Sequence, residues 1–230
     1  YYGDSPGLGK PERAIKSSGY KEVAAAVGLK LADFNSGEAV SFPEALLAKQ
    51  LFLAKGALDA DGIVSLPKMK THGFTRVTGA VKNQFGCITG MRKAEYHVKM
   101  PDIYEFSKVL VDINLYLKPR LYIMDGIIAM EGNGPRGGEP YNMGVLLLSS
   151  DPVAIDTVSC LLMDINPKHV PTNAIGREAG LGTDQLNKIE IVTSSGEPIK
   201  TFIKKDFKAT RRPPDRIISS PFYPNFLKNW

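Results

Sequence analysis

Between Leu66 and His97 the chain places Lys68, Lys70, Lys82 and Lys93 together with His72 and His97, two of its three histidines. Imidazoles titrate at about pH 6.5, which suits proton transfer near neutrality, and ammonium groups hold anions through charge-assisted hydrogen bonds. The chemistry such a set supports is acid–base work on a small carboxylate or phosphate. His72, His97 and Lys82 are the candidate catalytic groups. Lys68, Lys70 and Lys93 are candidate ligand contacts, with Thr78 and Asn83 adding hydrogen bonds. Taken singly, a lysine after a strand is ordinarily a solvated loop residue and a lone histidine a structural one. The reading rests on their conjunction.

Turn signals and periodicity give the elements that must position these groups. Asp61-Gly62 is a turn, and Ile63 to Leu66 is a short apolar run of the kind that forms a buried strand. Alternation then puts Val64, Leu66, Lys68, Lys70 and His72 on one face, so two apolar positions lead into three basic ones at the sheet edge. After Gly73, the positions Phe74, Val77, Val81 and Phe85 recur at helical spacing, with Gly86 as a stop. This predicts a helix over 74–85 carrying a second stripe of Thr75, Thr78 and Lys82. A strand that passes into a helix N-terminus is a favourable place for an anion.

The remaining chain alternates in the same manner. Glu12 to Val27 reads as a helix stopped by Gly28, Leu29 to Phe34 as a strand, and Glu44 to Lys55 as either. Asp102 caps a helix whose apolar face is Ile103, Phe106, Val109, Leu110, Ile113 and Leu117. Leu121 to Met124 is a buried strand that delivers Asp125 to its end. The glycine-rich stretch Ile127 to Asn142, with Glu131 and Asn133, reads as a long loop, either a wall of the pocket or a surface excursion. Val145 to Leu148 is a further buried strand, and Asp151-Pro152 starts a helix. Asp156 lies among apolar residues, so its carboxylate needs a partner, either a cation of the basic stretch or nearby backbone. Asp125, Glu131, Asn133 and Asp156 therefore join the candidate ligand-binding set. A helix over Lys168 to Ala179 and a last strand over Lys188 to Thr193 complete the reading, with His169 at the surface.

This order predicts an α/β layered fold, a mainly parallel sheet with helices on its faces and a ligand crevice at the strand ends. Tyr1 to Gly7 reads as the end of a strand and a glycine-rich turn, which places the first strand of the fold upstream of Tyr1. The α/β domain is expected to span 1–200, and 201–230 to be a basic, Pro-rich arm or linker.

With 230 residues, 43% of them hydrophobic, the chain can bury a full core. Its net charge of +5 is not gathered in a long basic block, and no nucleic-acid motif is present, so nucleic acid is not an expected partner. Two cysteines in apolar surroundings fit a reducing compartment, and no apolar run approaches membrane-spanning length, which together point to the cytoplasm. His72 and His97 with Asp125 or Glu131 lack compact metal-ligand spacing and lie among lysines, so no metal is expected.

The pieces P-K-M-K-T-H, T-G-A-V-K-N-Q-F-G and K-A-E-Y-H, in that order, resemble the domain of unknown function 362 family. So do G-D-S-P-G at Gly3 to Gly7, D-G-I-I-A-M-E-G-N-G-P at Asp125 to Pro135, and S-S-D-P-V-A-I-D at Ser149 to Asp156. The resemblance runs from Gly3 to roughly Gly196 and implies no established activity. It does imply an iron–sulfur domain or redox partner, since many members carry a ferredoxin-like region. This chain itself, with only Cys87 and Cys160, cannot supply the four thiolates a cubane cluster takes, and any other cofactor is left unknown. Around His72, Lys82 and His97, with an F-G-x-x-x-G turn between the last two, there is a more remote similarity to nickel-pincer lactate racemase. In that family two histidines exchange a substrate proton and a lysine holds the cofactor. Two functions are thus expected. One is an acid–base enzyme on a small anion, such as an isomerase or racemase; the alternative is a redox-associated accessory module.

Overall fold

The computed structural model describes residues 1–7 and 9–209. Its helices are α1 (Pro11–Ser17), α2 (Tyr20–Ala26), α3 (Lys55–Leu58), α4 (Ala80–Asn83), α5 (Arg92–Lys99), α6 (Ile103–Leu117), α7 (Pro152–Leu162) and α8 (Pro171–Glu178). Its strands are β1 (Gly37–Ser41), β2 (Gln50–Ala54), β3 (Val64–Ser65), β4 (Lys68–His72), β5 (Arg76–Thr78), β6 (Leu121–Asn133) and β7 (Gly137–Ser149). The fold is α/β, organised on β6. Strand β3 joins the first part of β6 in parallel, and β4 follows in parallel at Lys68↔Asp125 and Lys70↔Met130. The other edge of β6 pairs antiparallel with β7 from Tyr122↔Ser149 to Asn133↔Gly137. Strand β5 folds back on β4, and β1 and β2 make a separate antiparallel ribbon.

Two apolar clusters hold these layers together. Met69, Tyr122, Met124 and Met143 of the sheet meet Ile155, Val158 and Leu162 of α7. Phe74, Val81 and Phe85 meet Phe106, Leu110 and Ile113 of α6, with Leu51 and Leu53 of β2 behind them. Burying an aliphatic or aromatic side chain of this size stabilises by roughly 1.5–3 kcal/mol each, so the two clusters carry most of the fold. Polar ties fix their relative position. Asp112, fully buried on α6, accepts from the amides of Leu46, Leu47 and Ala48 at 2.6, 3.0 and 2.8 Å.

Helix α6 starts where expected, with Asp102 accepting from the Tyr104 and Glu105 amides at 2.8 and 3.0 Å. Asp102→Ala should lower the unfolding free energy by about 1 kcal/mol, the usual cost of a lost N-cap. Chemical denaturation would read this as a lower midpoint at unchanged slope; an unchanged midpoint would show the cap to be idle.

Several elements differ from the sequence reading. The helix predicted over 74–85 is instead the β4–β5 hairpin followed by the four residues of α4 and a 3₁₀ turn over Gln84–Cys87. Arg76 has φ 71°, a left-handed conformation that no right-handed helix admits. Phe74, Val77, Val81 and Phe85 are nonetheless all buried, so the apolar spacing was real and its period coincidental. The alternation over 64–72 has the opposite phase: Ser65 and Met69 are buried, whereas Val64 and Leu66 are 56% and 65% exposed.

The long loop over Ile127 to Asn142 is a hairpin, with both strands continuing to within three residues of each other. The strand predicted over Val145 to Leu148 lies within β7, but Leu146 and Leu148 are exposed there. Leu29 to Phe34 forms only a single bridge, Tyr2↔Leu31. The helix over Glu12 to Val27 is broken at Gly19, where φ is 77°. Lys188 to Thr193 is not a strand. The segment after Thr201 does not leave the domain at residue 200: Phe207 is buried, and the Lys208 amide donates to Glu131 at 2.7 Å. The remainder of the expected arm, 210–230, lies outside the described residues.

Candidate functional site

Strand β4 carries Lys70 and His72 to the point where the chain turns into β5. Two residues past Arg76–Thr78, helix α4 begins on a carboxylate from another element. Asp156 of α7 accepts from the Ala80 and Val81 amides at 2.5 and 3.0 Å. Gly79 permits this, since a Cβ there would lie 2.1 Å from an Asp156 oxygen. The clasp fixes the turn that bears Lys82. Helix α5 then supplies Lys93 and His97, four residues apart on one face.

Rings line the interior of this corner. Lys82 Nζ lies 5.0 Å from the Phe85 ring centre and 5.1 Å from that of Phe106, within cation–π range. Lys93 Nζ is 6.0 Å from the Phe85 ring. His97 stacks on Phe106 at 4.5 Å and 20°, with Phe74 and Phe85 at 5.8 and 5.6 Å. The outer wall comes from the start of the chain. The Lys93 ammonium donates to the Ser5 carbonyl, Ser5 Oγ accepts from the Gly90 amide at 3.0 Å, and the Ser5 amide donates to the Gly86 carbonyl at 3.1 Å. Asp4 lies against Gly86, where an added Cβ would sit 2.3 Å from its carboxylate.

The charges in this corner are unbalanced. Burial lowers the pKa of Lys70 and of Lys93, with Asp4 pulling both the other way. Lys82 falls to about 7, through burial first and then the charges of Lys93 and Lys70, with no carboxylate opposing. Part of the Lys82 side chain still meets solvent, although protein surrounds it on every side. This partly solvated corner is the candidate recess. Asp4 is open to solvent at the recess rim, yet the surrounding protein pushes its carboxyl up, against Lys93 and Lys70. Three lysines thus share the corner with one carboxylate, which acts on two of them. An anion entering here replaces mutual repulsion by attraction, which in a poorly solvated site is worth far more than in water.

The histidines are neutral. Burial pushes His72 to about 2, aided by Lys82, His97 and Lys70, and pushes His97 to about 3, aided by Lys82. His72 has a further constraint. Its Nδ1 accepts from the Phe74 and Thr75 amides at 3.0 and 3.2 Å, which assigns the proton to Nε2. His72 is therefore a fixed neutral donor, and Lys82 is the group whose proton affinity suits exchange near neutrality.

Residues 1–161, which contain the entire corner, match the family described as Domain of unknown function (DUF362). The chain belongs to this family. A thylakoid-associated protein of Synechocystis sp. is 35% identical over 182 residues, which cover 79% of this chain and 56% of that protein. The chain thus spans little more than half the length of that curated relative. No solved structure matches it.

In this DUF362 chain, five of the sequence-predicted residues converge: Lys70, His72, Lys82, Lys93 and His97. Thr78 is close by, as the β5 partner of Lys70. The others are placed elsewhere. Lys68 and Asp125 form an ion pair at 2.6 Å with side chains 42% and 47% exposed, a surface contact worth about 0–1 kcal/mol. Asn83 donates to Ser65 Oγ at 3.0 Å, Glu131 accepts from Lys208, and Asn133 ends β6 beside the hairpin tip. The partner of Asp156 is backbone and not a cation of the basic stretch.

Sequence reasoning missed Asp4, Ser5 and the Phe106 ring. The G-D-S-P-G turn was the one available signal for the first two. Arg136, within the glycine-rich stretch read as a pocket wall or a surface excursion, adds its charge from the hairpin tip to the field on Lys70. Among the described residues no group of His, Cys, Asp and Glu could hold a metal ion. A groove of 450 Å³ between β7 and 189–202 lies apart from this corner; its lining is largely aliphatic and has no basic residue, so it does not suit an anion.

Proposed function

We propose that this DUF362 chain binds a small carboxylate or phosphate at Lys70, Lys82 and Lys93 and moves a proton on it, in an isomerase- or racemase-type step. The observation that carries this reading is the corner in which Lys70 and Lys93 share the Asp4 carboxylate while Lys82, beside them, is opposed by none. Lys70 and Lys93 hold the anion, and the Nε2–H of His72 donates to it. Lys82 exchanges the proton, and His97 with the rings keeps the recess poorly solvated.

Isothermal titration calorimetry with phosphate and lactate as probes tests the reading. Lys70→Met and Lys93→Met should each weaken binding tenfold or more, since a hydrogen bond to a charged group contributes about 1.5–3 kcal/mol. Binding should also take up protons between pH 7 and 9, because an anion raises the proton affinity of Lys82 by the same coupling through which Lys82 attracts the anion. Buffers of different ionisation enthalpy would reveal that uptake. A parent chain that ignores both probes, or variants that bind as well as the parent, would remove the site.

The redox-module alternative draws on the basic tail from Lys200 to Arg216, of which the part from 210 on lies outside the described residues, and on the cluster-bearing members of the family. The buried free thiols of Cys87 and Cys160 support a reducing, cytoplasmic setting. The thylakoid association belongs to the Synechocystis protein; in the present chain no described helix is long and apolar enough to cross a membrane.

A further inference from the structure

Lys82 differs from its neighbours. Lys70 and Lys93 each feel the charge of Asp4, and Lys93 also donates to Ser5. Lys82 makes no hydrogen bond or ion pair among the described residues, and its Nζ rests over the faces of Phe85 and Phe106. Ring faces stabilise the ammonium but place no obstacle around the amine lone pair. The Lys82 side chain is half-buried, and the charges of Lys93 and Lys70 both act on its amine. A lysine desolvated beside other cations is the general means by which an amine is kept neutral and nucleophilic.

We propose that Lys82 captures the carbonyl carbon of a small oxo acid as a Schiff base, with Lys70 and Lys93 holding the acid group. The inference rests on the anion-binding reading above and names its substrate class; with an oxo acid the Lys82 amine is the covalent nucleophile in place of the proton-exchanging group. The Nζ lone pair forms a bond to the carbonyl carbon while the carbonyl oxygen takes a proton. The nitrogen then gives up a proton, the hydroxyl takes one and leaves as water, and C–O is replaced by a protonated C=N; the net change is uptake of one proton and release of one water. Nothing is oxidised or reduced. The protonated imine withdraws electrons from the adjacent carbon, which is what makes a proton there removable.

The test incubates the 230-residue chain with pyruvate, and separately with glyoxylate, in sodium cyanoborohydride at pH 7, followed by peptide mapping. The reduced adduct should form on Lys82 at least tenfold faster than on exposed Lys21 or Lys108, and excess lactate, which has no keto or aldehyde group, should slow it. Lys82→Arg should abolish that adduct alone. Should the arginine variant fail to fold, the rate ratio within the parent chain still decides. Adducts spread evenly over the exposed lysines with both oxo acids would overturn the proposal. If lactate nonetheless binds in a manner dependent on Lys70 and Lys93, the anion site survives and only covalent capture falls. If lactate neither binds nor protects, both fall together.

Discussion

A chain carrying Gly79→Ala is expected to unfold more easily by about 4 kcal/mol and to lose anion binding with it. The added methyl would stand 2.1 Å from an oxygen of Asp156, which is itself buried in α7 and has no room to retreat. Overpacking of this kind costs about 1–3 kcal/mol. Displacing the carboxylate also strips the Ala80 and Val81 amides of their acceptor, at about 1–3 kcal/mol each in a buried setting. Lys82 is on the same short helix, so the damage reaches the recess directly. Guanidinium denaturation would read the loss as a lower midpoint, and a change smaller than about 0.5 kcal/mol would refute it.

Asp156→Asn should be milder, since one acceptor oxygen remains. It should also remove a pH dependence. Burial raises the Asp156 pKa to about 7 from a usual 3.8, so the folded state holds a proton that the unfolded state releases. The stability this group contributes is full below about pH 3.8 and is lost as pH rises through about 7.

Lys82→Met is the second large expectation, and its two effects have opposite signs. Anion binding should fall beyond detection, while the fold becomes more stable by a few kcal/mol at pH 6. The folded-state pKa of Lys82 is depressed to about 7 from 10.5, so the stability this group contributes is present above pH 10.5 and is lost as pH falls through about 7. Below neutrality the folded chain carries a poorly solvated charge, at a cost on the order of 5 kcal/mol, reduced by the solvent contact that the side chain keeps. Methionine has similar volume and no charge. The stability gap between variant and parent should therefore be widest at pH 6 and close toward pH 10. Parallel pH profiles, or a variant less stable at pH 6, would mean that Lys82 is not strained in the fold.

The sequence made the cluster itself legible because most of it comes from one contiguous stretch, in which Lys70, His72, Lys82, Lys93 and His97 cannot lie far apart once the chain turns. Asp102 and Asp151 were legible for a similar reason, since a cap bonds amides two or three residues away. What failed was long-range. The helix over 74–85 was lost to a left-handed Arg76 and to a carboxylate 76 positions away, neither of which leaves a trace in local spacing. Glycine density suggested a loop over Ile127 to Asn142, but ladder pairing with β7 outweighed the low strand propensity of glycine. Asp4 was missed because its role depends on Gly86 and Lys93, about ninety residues further on. For the histidines, spacing alone discloses neither the burial that lowers the pKa of both nor the amides on Nδ1 that fix the His72 tautomer.

Ser5 joins residues 86, 90 and 93 through three separate hydrogen bonds, and so closes the recess with a segment remote in sequence from its floor. A recess closed in this way has no counterpart in the unfolded chain, so occupancy and folding are a single coupled equilibrium. Any anion that fits will raise the melting temperature by mass action, by about 2.7 kcal/mol of added stability at a hundredfold excess over its dissociation constant. The fold thereby becomes its own indicator of ligand. A melting screen across metabolite acids would rank candidate ligands.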